Sequence, residues 1–293
     1  MNDPTGWPYS YLSQALPFAP LHPFIRQLRA SNFPDLTELN ALLAKLEPEI
    51  RLRSGQPLRL VPQARGKLPF ELQYEPRCYL KGEVQTREYN WHDLFNALVW
   101  MRFPKAKAAI NARHYAVLGE ACETPGEGRG ATRDVATLLD ESGVIVVCAS
   151  PELGQLLREF RWKDLFWKRR ADLSAGIDFC VFGHGLYEKL LKPYLGLTGQ
   201  GLVLAAPPAY FAQSPDERAV WLDELLAAYL DHPRHCLSTR ELTPVPLLGI
   251  PGWDAANTDP AYYDNTRYFR SGRGSQARAS GQSAAEIDSA RDF

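Results

Sequence analysis

Apolar residues recur at helical spacing through the first third of the chain. A first amphipathic helix is predicted after Asp35, where leucines repeat every three or four residues. A second is predicted after Asn90, an N-cap residue with Asp93 three positions later, and a further helical segment spans Lys105 to Tyr115. These patterns predict a helical part over about residues 1–118.

The pattern changes after a glycine-rich loop predicted for Glu120–Arg133. Short β-branched runs now alternate with helical segments of 10 to 15 residues, which is typical of an α/β arrangement with some parallel pairing. The runs at 137–139 and 144–148 flank Asp140-Glu141-Ser142-Gly143, which predicts a hairpin turn. Two later strands are predicted over Ile177–Phe182 and Leu202–Ala206. The last apolar run, Val245–Ile250, contains Pro246 and is predicted to be either an edge strand or an extended loop.

The expected fold class is α/β or α+β, with a helical N-terminal part followed by a mixed sheet flanked by helices. One globular domain is expected over residues 1–270, of which about 131–270 form the α/β part. Residues 271–293 are dominated by Ser, Gly, Gln, Ala and Arg, so a disordered tail is predicted there.

Charge and composition exclude several classes of protein. The 33 Lys and Arg residues nearly cancel the 34 Asp and Glu residues, which argues against a protein that coats nucleic acid or an anionic membrane. Arg158–Arg170 interleaves basic and aromatic residues, but their helical spacing favours aromatic packing in the core, so no nucleic-acid partner is expected. No apolar run reaches 18 residues, so no membrane span is expected. The five scattered cysteines and the absence of a signal-peptide pattern predict a cytoplasmic protein.

The segment Phe182-Gly183-His184-Gly185 is the strongest candidate for chemistry. A predicted strand runs into a turn flanked by glycines and then into a helix, the arrangement in which open α/β sheets bind ligands. Glu188 lies one helical turn after His184, where it is placed to orient the imidazole or to share a metal ion. In the alternative interpretation the glycines only make a tight turn and His184 caps or packs.

A second candidate cluster lies on the predicted helices before residue 118. His92 and Asn96 are four residues apart and share a helix face, and His114 ends the following segment. If that segment folds back, two imidazoles and an amide come together and are suited to hold a divalent metal or to act as a general base. The alternative is that His92 and Asn96 only hydrogen-bond the backbone. A triad of Ser150, His184 and Asp140 is disfavoured, because no nucleophile-elbow motif surrounds Ser150.

Five further positions are candidate binding residues. Gly126–Gly130 resembles an anion-cradling loop in composition but lacks the lysine and spacing of a P-loop, so Arg133 would meet an anionic group only if the loop is a lid. Trp253 follows a proline-flanked run and either walls a pocket or plugs the domain edge. These positions leave a small-molecule or anionic ligand open as a partner. The five residues are Arg87, Arg133, Asp140, Trp253 and Asn257.

A set of sequence blocks between about residues 70 and 270 carries a family resemblance. The blocks are Thr86–Trp100, Phe103-Pro104-Lys105, Arg133-Asp134, Leu138–Gly143, Phe182-Gly183-His184, Glu188–Leu191, Leu248–Trp253, Asn257 and Phe269-Arg270. Together they resemble the bacterial domain-of-unknown-function 3025 family. The family's name assigns no activity, so the resemblance implies membership and no catalytic residue.

Two hypotheses of function remain. In the first, the protein is a hydrolase-type enzyme in which His184 is a general base or a ligand of a divalent metal and Glu188 is its partner. His92, Asn96 and His114 would contribute to the same cleft. In the second, it is a non-catalytic cytoplasmic binding protein whose polar residues support loops. The first requires the imidazoles of His92 and His184 to lie within about 12 Å, and the second predicts that they lie apart.

Overall fold

Helices and strands are mixed along the chain in the computed structural model, which describes residues 6–123 and 129–272. The helices in these ranges are α1 (Tyr9–Leu12), α2 (His22–Ile25), α3 (Leu36–Leu43), α4 (Tyr74–Lys81), α5 (Trp91–Arg102), α6 (Pro104–Glu123), α7 (Arg129–Ser142), α8 (Pro151–Arg158), α9 (Arg170–Gly176), α10 (His184–Leu190) and α11 (Pro215–Asp231). The strands are β1 (Arg59–Pro62), β2 (Glu83–Thr86), β3 (Gly143–Cys148), β4 (Ile177–Val181), β5 (Thr198–Ala205) and β6 (Leu242–Pro246).

A four-stranded mixed sheet with the order β4-β3-β5-β6 forms the centre of the C-terminal part. The two inner strands, β3 and β5, are parallel, with Gly143 opposite Gln200 and Cys148 opposite Ala205. The outer strands β4 and β6 run antiparallel to their neighbours. Every residue of β3 is buried, as expected for a strand covered on both faces. The predicted mixed sheet flanked by helices is thereby confirmed.

The predicted hairpin around Asp140–Gly143 is wrong. Helix α7 continues to Ser142, and Gly143 begins β3 directly. Val135, Ala136 and Leu139 are buried, so the apolar residues before the turn-like sequence are the inner face of a helix. The predicted loop over Glu120–Arg133 is likewise helical at both ends, and residues 124–128 lie outside the described ranges.

The N-terminal part also contains a two-stranded parallel sheet that the helical periodicity did not predict. Strands β1 and β2 pair from Arg59 opposite Glu83 to Pro62 opposite Thr86. Asn40 fastens α3 to this sheet, since its amide donates to the Leu60 carbonyl at 2.9 Å and accepts from the Leu60 N–H at 3.0 Å. The side chains of both parts of the chain belong to one continuous hydrophobic cluster.

Helix α5 lies in the middle of this cluster. The Asn90 side chain accepts the Asp93 N–H at 3.0 Å, so the predicted N-cap is formed. Every residue from Asp93 to Met101 is buried, which places the whole middle of the helix in the interior rather than a single apolar stripe. Among the described residues, no helix combines the length and hydropathy that crossing a membrane requires.

Candidate functional site

Three helices bring polar side chains together beside the mixed sheet. His92 lies in the first turn of α5, and Asp140 and Glu141 lie in the last turn of α7. His184 is the first residue of α10, and Glu188 follows one turn later. Because β4 is antiparallel to β3, the end of β4 places His184 beside the start of β3, which is where α7 ends.

Two glycines allow the start of α10 to lie directly against the end of α7. The Gly183 N–H donates to the Gly143 carbonyl at 2.9 Å, and a Cβ on Gly183 would lie 2.6 Å from the Ser142 Cα. A Cβ on Gly185 would lie 2.7 Å from Oε2 of Glu141. Side chains at these positions would therefore push His184 and Glu141 apart.

Three side-chain atoms converge on one point between these helices. The Nε2 atoms of His92 and His184 are 2.9 Å apart, and Oε1 of Glu141 is 3.6 Å from the first and 3.7 Å from the second. These distances define a circle with a radius of about 2.0 Å, which matches the usual Zn–N and Zn–O bond lengths. The three residues form a group that could hold a metal ion. The expectation that the two histidines lie apart, which belonged to the non-catalytic hypothesis, is wrong.

Each histidine also has a carboxylate beside its other ring nitrogen. Nδ1 of His92 is 3.4 Å from Oε2 of Glu188, and Nδ1 of His184 is 3.7 Å from Oδ2 of Asp140. Metal-binding histidines commonly have such a carboxylate behind them, which fixes the ring with Nε2 toward the ion. Glu188 was expected to orient His184, but its carboxylate contacts His92, and Asp140 takes the place behind His184.

Asp140 is held ionised by a buried lysine. Lys107 is 3% exposed, and its ammonium group donates to both Asp140 and Oδ1 of Asn96. Burial would raise the pKa of Asp140, but the charges of Lys107 and His184 outweigh it and hold this pKa well below its usual range. The carboxylate behind His184 is therefore an acceptor at neutral pH.

A cavity of about 320 Å³ opens onto these groups, a volume suited to a small molecule. His92, Asn96, Asp140, Glu141 and His184 line one part of it. The remaining lining residues come mostly from the N-terminal part of the chain. They are Gln63, Tyr74, Glu75, Gln85, Arg87, Asp93, His114 and Thr137.

His114 lines the same cavity but faces a different carboxylate. Its Nδ1 is 3.1 Å from Oε1 of Glu75, and its Nε2 is 3.5 Å from the Thr137 hydroxyl. Glu75 also accepts the Asn111 amide at 2.6 Å. His114 thus belongs to the cavity but not to the group of three converging ligands.

The candidate binding residues lie in different parts of the fold. Arg87 lines the cavity and holds Asp93 with two hydrogen bonds of 2.8 Å from its guanidinium group. Trp253 lines a separate cavity of about 260 Å³. Asn257 is fully buried, and its amide donates to two loop carbonyls at 2.7 and 3.0 Å. The side chain of Arg133 lies outside the described residues.

The disfavoured serine triad does not form. Ser150 follows the carboxyl end of β3, whereas His184 and Asp140 lie beside its amino end. A strand of six residues spans about 20 Å, so the serine is far from the imidazole.

The sequence patterns do not single out several residues of the site, namely Gln63, Tyr74, Glu75, Gln85, Lys107, Thr137 and Glu141. The turn-like composition around Glu141 predicts a hairpin, whereas α7 places this residue on a helix end beside Asp140. Lys107 had no local signal, because a lysine between alanines on a helix is usually exposed. Tyr74 and Glu75 open a short polar helix whose Pro76 is tolerated only because it lies in the first turn.

Comparison with known proteins identifies the family. Residues 58–273 match the family described as protein of unknown function (DUF3025), and the chain belongs to this family. The chain matches no curated protein and no solved structure.

Proposed function

We propose that the protein is a metal-dependent hydrolase in which His92, Glu141 and His184 hold one divalent ion, with Zn²⁺ as the best match. The observation that carries this proposal is the convergence of three ligand atoms on a point about 2.0 Å from each. Two imidazoles and one carboxylate leave a coordination position open for water, as in catalytic zinc sites.

The types of ligand favour zinc. Imidazole and carboxylate are both common zinc ligands, and two imidazoles with one carboxylate form the ligand set of several catalytic zinc sites. Bonds of 2.0–2.1 Å place tetrahedral ligand atoms about 3.3 Å apart, and the three separations at this site, 2.9, 3.6 and 3.7 Å, lie on either side of that value. The carboxylates of Glu188 and Asp140 lie 3.4 and 3.7 Å from the second ring nitrogens of His92 and His184, on the side where metal-bound histidines usually have an acceptor, although at these distances neither pair is hydrogen-bonded.

His92, Glu141 and His184 would hold the ion where it could supply two kinds of chemistry. A bound ion would lower the pKa of a water molecule to near 7, so that a nucleophile is available at neutral pH, and would polarise a substrate oxygen. Hydrolysis adds the water oxygen to the reacting centre and breaks the bond to the leaving group, which takes one of the water protons. The 320 Å³ cavity gives such a substrate access to the ion.

The test is metal uptake by the full chain. Elemental mass spectrometry of the purified protein and titration of metal-stripped protein with Zn²⁺ are expected to give one ion per chain. His92→Ala, Glu141→Gln and His184→Ala should each weaken zinc binding at least tenfold. His232→Ala is the matched control, because His232 is exposed and outside the group.

Hydrolysis is measured with p-nitrophenyl acetate and bis(p-nitrophenyl) phosphate, before and after chelation and with zinc restored. A wild type that takes up no zinc, manganese, cobalt or iron contradicts the proposal, as does uptake that is equal in His184→Ala. Metal uptake without hydrolysis of either probe would favour the non-catalytic binding protein.

A further inference from the structure

Hydrogen bonds connect Lys107 to Asn96 and Asn96 to Tyr74. The chemistry of the three groups determines which of them donates in each bond. An ammonium group only donates, so the Asn96 atom 2.9 Å from Lys107 Nζ is the carbonyl Oδ1. The remaining Asn96 atom is then Nδ2, which donates to the Tyr74 hydroxyl oxygen at 2.7 Å. Tyr74 therefore accepts in this bond, and its single hydroxyl proton is directed elsewhere.

Among the described side chains, those of residues 6–118 and 135–272, none accepts this proton. Tyr74 lines the cavity that also contains His92, Glu141 and His184, so the proton is available to a bound molecule. Burial, reinforced by the nearby thiol of Cys78 and the carboxylates of Glu75 and Asp140, raises the pKa of Tyr74 well above its usual value. The hydroxyl is thus a neutral donor throughout the physiological range.

The charges of the cavity favour an uncharged substrate. Among the described residues, four carboxylates line it: Glu75, Asp93, Asp140 and Glu141. Arg87 pairs with Asp93 and Lys107 pairs with Asp140. A divalent ion would balance the other two carboxylates and leave no surplus positive charge for a phosphate or carboxylate group. A neutral acyl group, an ester or an amide, fits this balance.

We infer that Tyr74 donates a hydrogen bond to the carbonyl oxygen of a neutral acyl substrate that is hydrolysed at the metal. This inference rests on the proposed function and deepens it. As the water oxygen bonds to the acyl carbon, the carbonyl π pair moves onto the oxygen, whose growing negative charge the Tyr74 O–H stabilises. The carbonyl then re-forms, the bond to the leaving group breaks, and the leaving group takes a water proton.

Two variants test the donor in different ways. Tyr74→Phe removes only the hydroxyl group. Asn96→Asp is nearly isosteric and keeps the Tyr74 hydroxyl group. A carboxylate at position 96 can only accept a hydrogen bond, so the Tyr74 proton would point toward that carboxylate and away from the cavity. Tyr79→Phe, on the same helix and stacked on Tyr115, is the matched control.

Zinc stoichiometry and kcat for p-nitrophenyl acetate are measured for each protein. We expect one zinc per chain throughout, a roughly 100-fold lower kcat for Tyr74→Phe and Asn96→Asp, and an unchanged kcat for Tyr79→Phe. Circular dichroism establishes that each variant is folded. Agreement between two variants that alter different atoms excludes simple misfolding as the cause.

Other outcomes separate this inference from the proposed function. Zinc-loaded Tyr74→Phe and Asn96→Asp with wild-type kcat overturn the role of Tyr74 and leave the metal centre intact. A zinc-loaded wild type that does not cleave p-nitrophenyl acetate overturns the inference of an acyl substrate, whether or not it cleaves bis(p-nitrophenyl) phosphate. A wild type without metal overturns both proposals.

Discussion

The buried ion pair between Lys107 and Asp140 provides a direct test of how the site is held together. Lys107→Met keeps the length of the side chain but leaves Asp140 charged and without its main partner. The methionine also loses the hydrogen bond to Asn96 and the position of the ammonium group 5.4 Å from the Trp100 ring centre. Removing one member of a buried pair costs about 3–5 kcal/mol.

The expected loss is large enough to measure by denaturation. At about 2–4 °C of Tm per kcal/mol for a chain of this size, the loss corresponds to roughly 6–20 °C. Guanidinium denaturation gives the free energy of unfolding directly. Lys105→Met, on the same helix, is the control, because its pair with Glu224 is more than half exposed and is expected to contribute under about 1 kcal/mol.

A double-mutant cycle with Asp140→Asn determines whether the two residues act as a pair. The double variant has no unpaired charge, so we expect it to be more stable than the sum of the single changes by at least about 1 kcal/mol. Additive losses, or a Lys107→Met loss below about 1 kcal/mol, would refute the buried-pair argument. Asp140→Asn should also weaken zinc binding roughly tenfold, because Asp140 lies behind His184.

Three further predictions concern other parts of the molecule. Asn257→Ala should lower the free energy of unfolding by about 2–4 kcal/mol in denaturation experiments and leave zinc titrations unchanged, because its amide serves two buried loop carbonyls. Gly185→Ala should weaken zinc binding about tenfold in calorimetric titration, since its Cβ would lie 2.7 Å from Glu141, and an unchanged affinity would contradict the close packing. Burial raises the pKa of Asp223 to about 6, so the folded protein binds more protons than the unfolded chain between pH 4 and 6, and this residue's contribution to stability falls by about 2–3 kcal/mol as the pH rises through that window. Denaturation at pH 4, 5, 6 and 7 should show this difference between wild type and Asp223→Asn.

The sequence predicted those site residues that carry a strong local signal. His184 was recognisable because glycines flank it at the junction of a strand and a helix, and His92 because it follows a well-formed N-cap. The fold class followed from the alternation of short apolar runs with helical segments. Such local patterns depend only on residues that are close in the sequence, so they can be recognised without knowledge of the tertiary structure.

Pairings between distant segments were beyond the sequence patterns. Strands β1 and β2 have four residues each and join only through parallel pairing, so neither shows a clear alternation by itself. Tyr74 approaches Asn96 only when α4 packs beside the core, and Lys107 is buried only because Asp140 and Asn96 meet it. Asp140-Glu141-Ser142-Gly143 has the composition of a turn, and tertiary packing of α7 overrides that composition.

The three converging side chains lie far apart in the sequence, so the site forms only when the segments that carry them have folded together. Two stretches of chain, of roughly 50 and 40 residues, join His92 to Glu141 and Glu141 to His184. An unfolded chain cannot keep the three side chains together, so an ion bound by His92, Glu141 and His184 would cross-link the native chain and close two large loops. Excess zinc at 100 times its dissociation constant would stabilise the native state by about 2.7 kcal/mol. Zinc binding would therefore show that helices α5, α7 and α10 are packed together. A fragment that lacks one of the three helices would not bind zinc at this site.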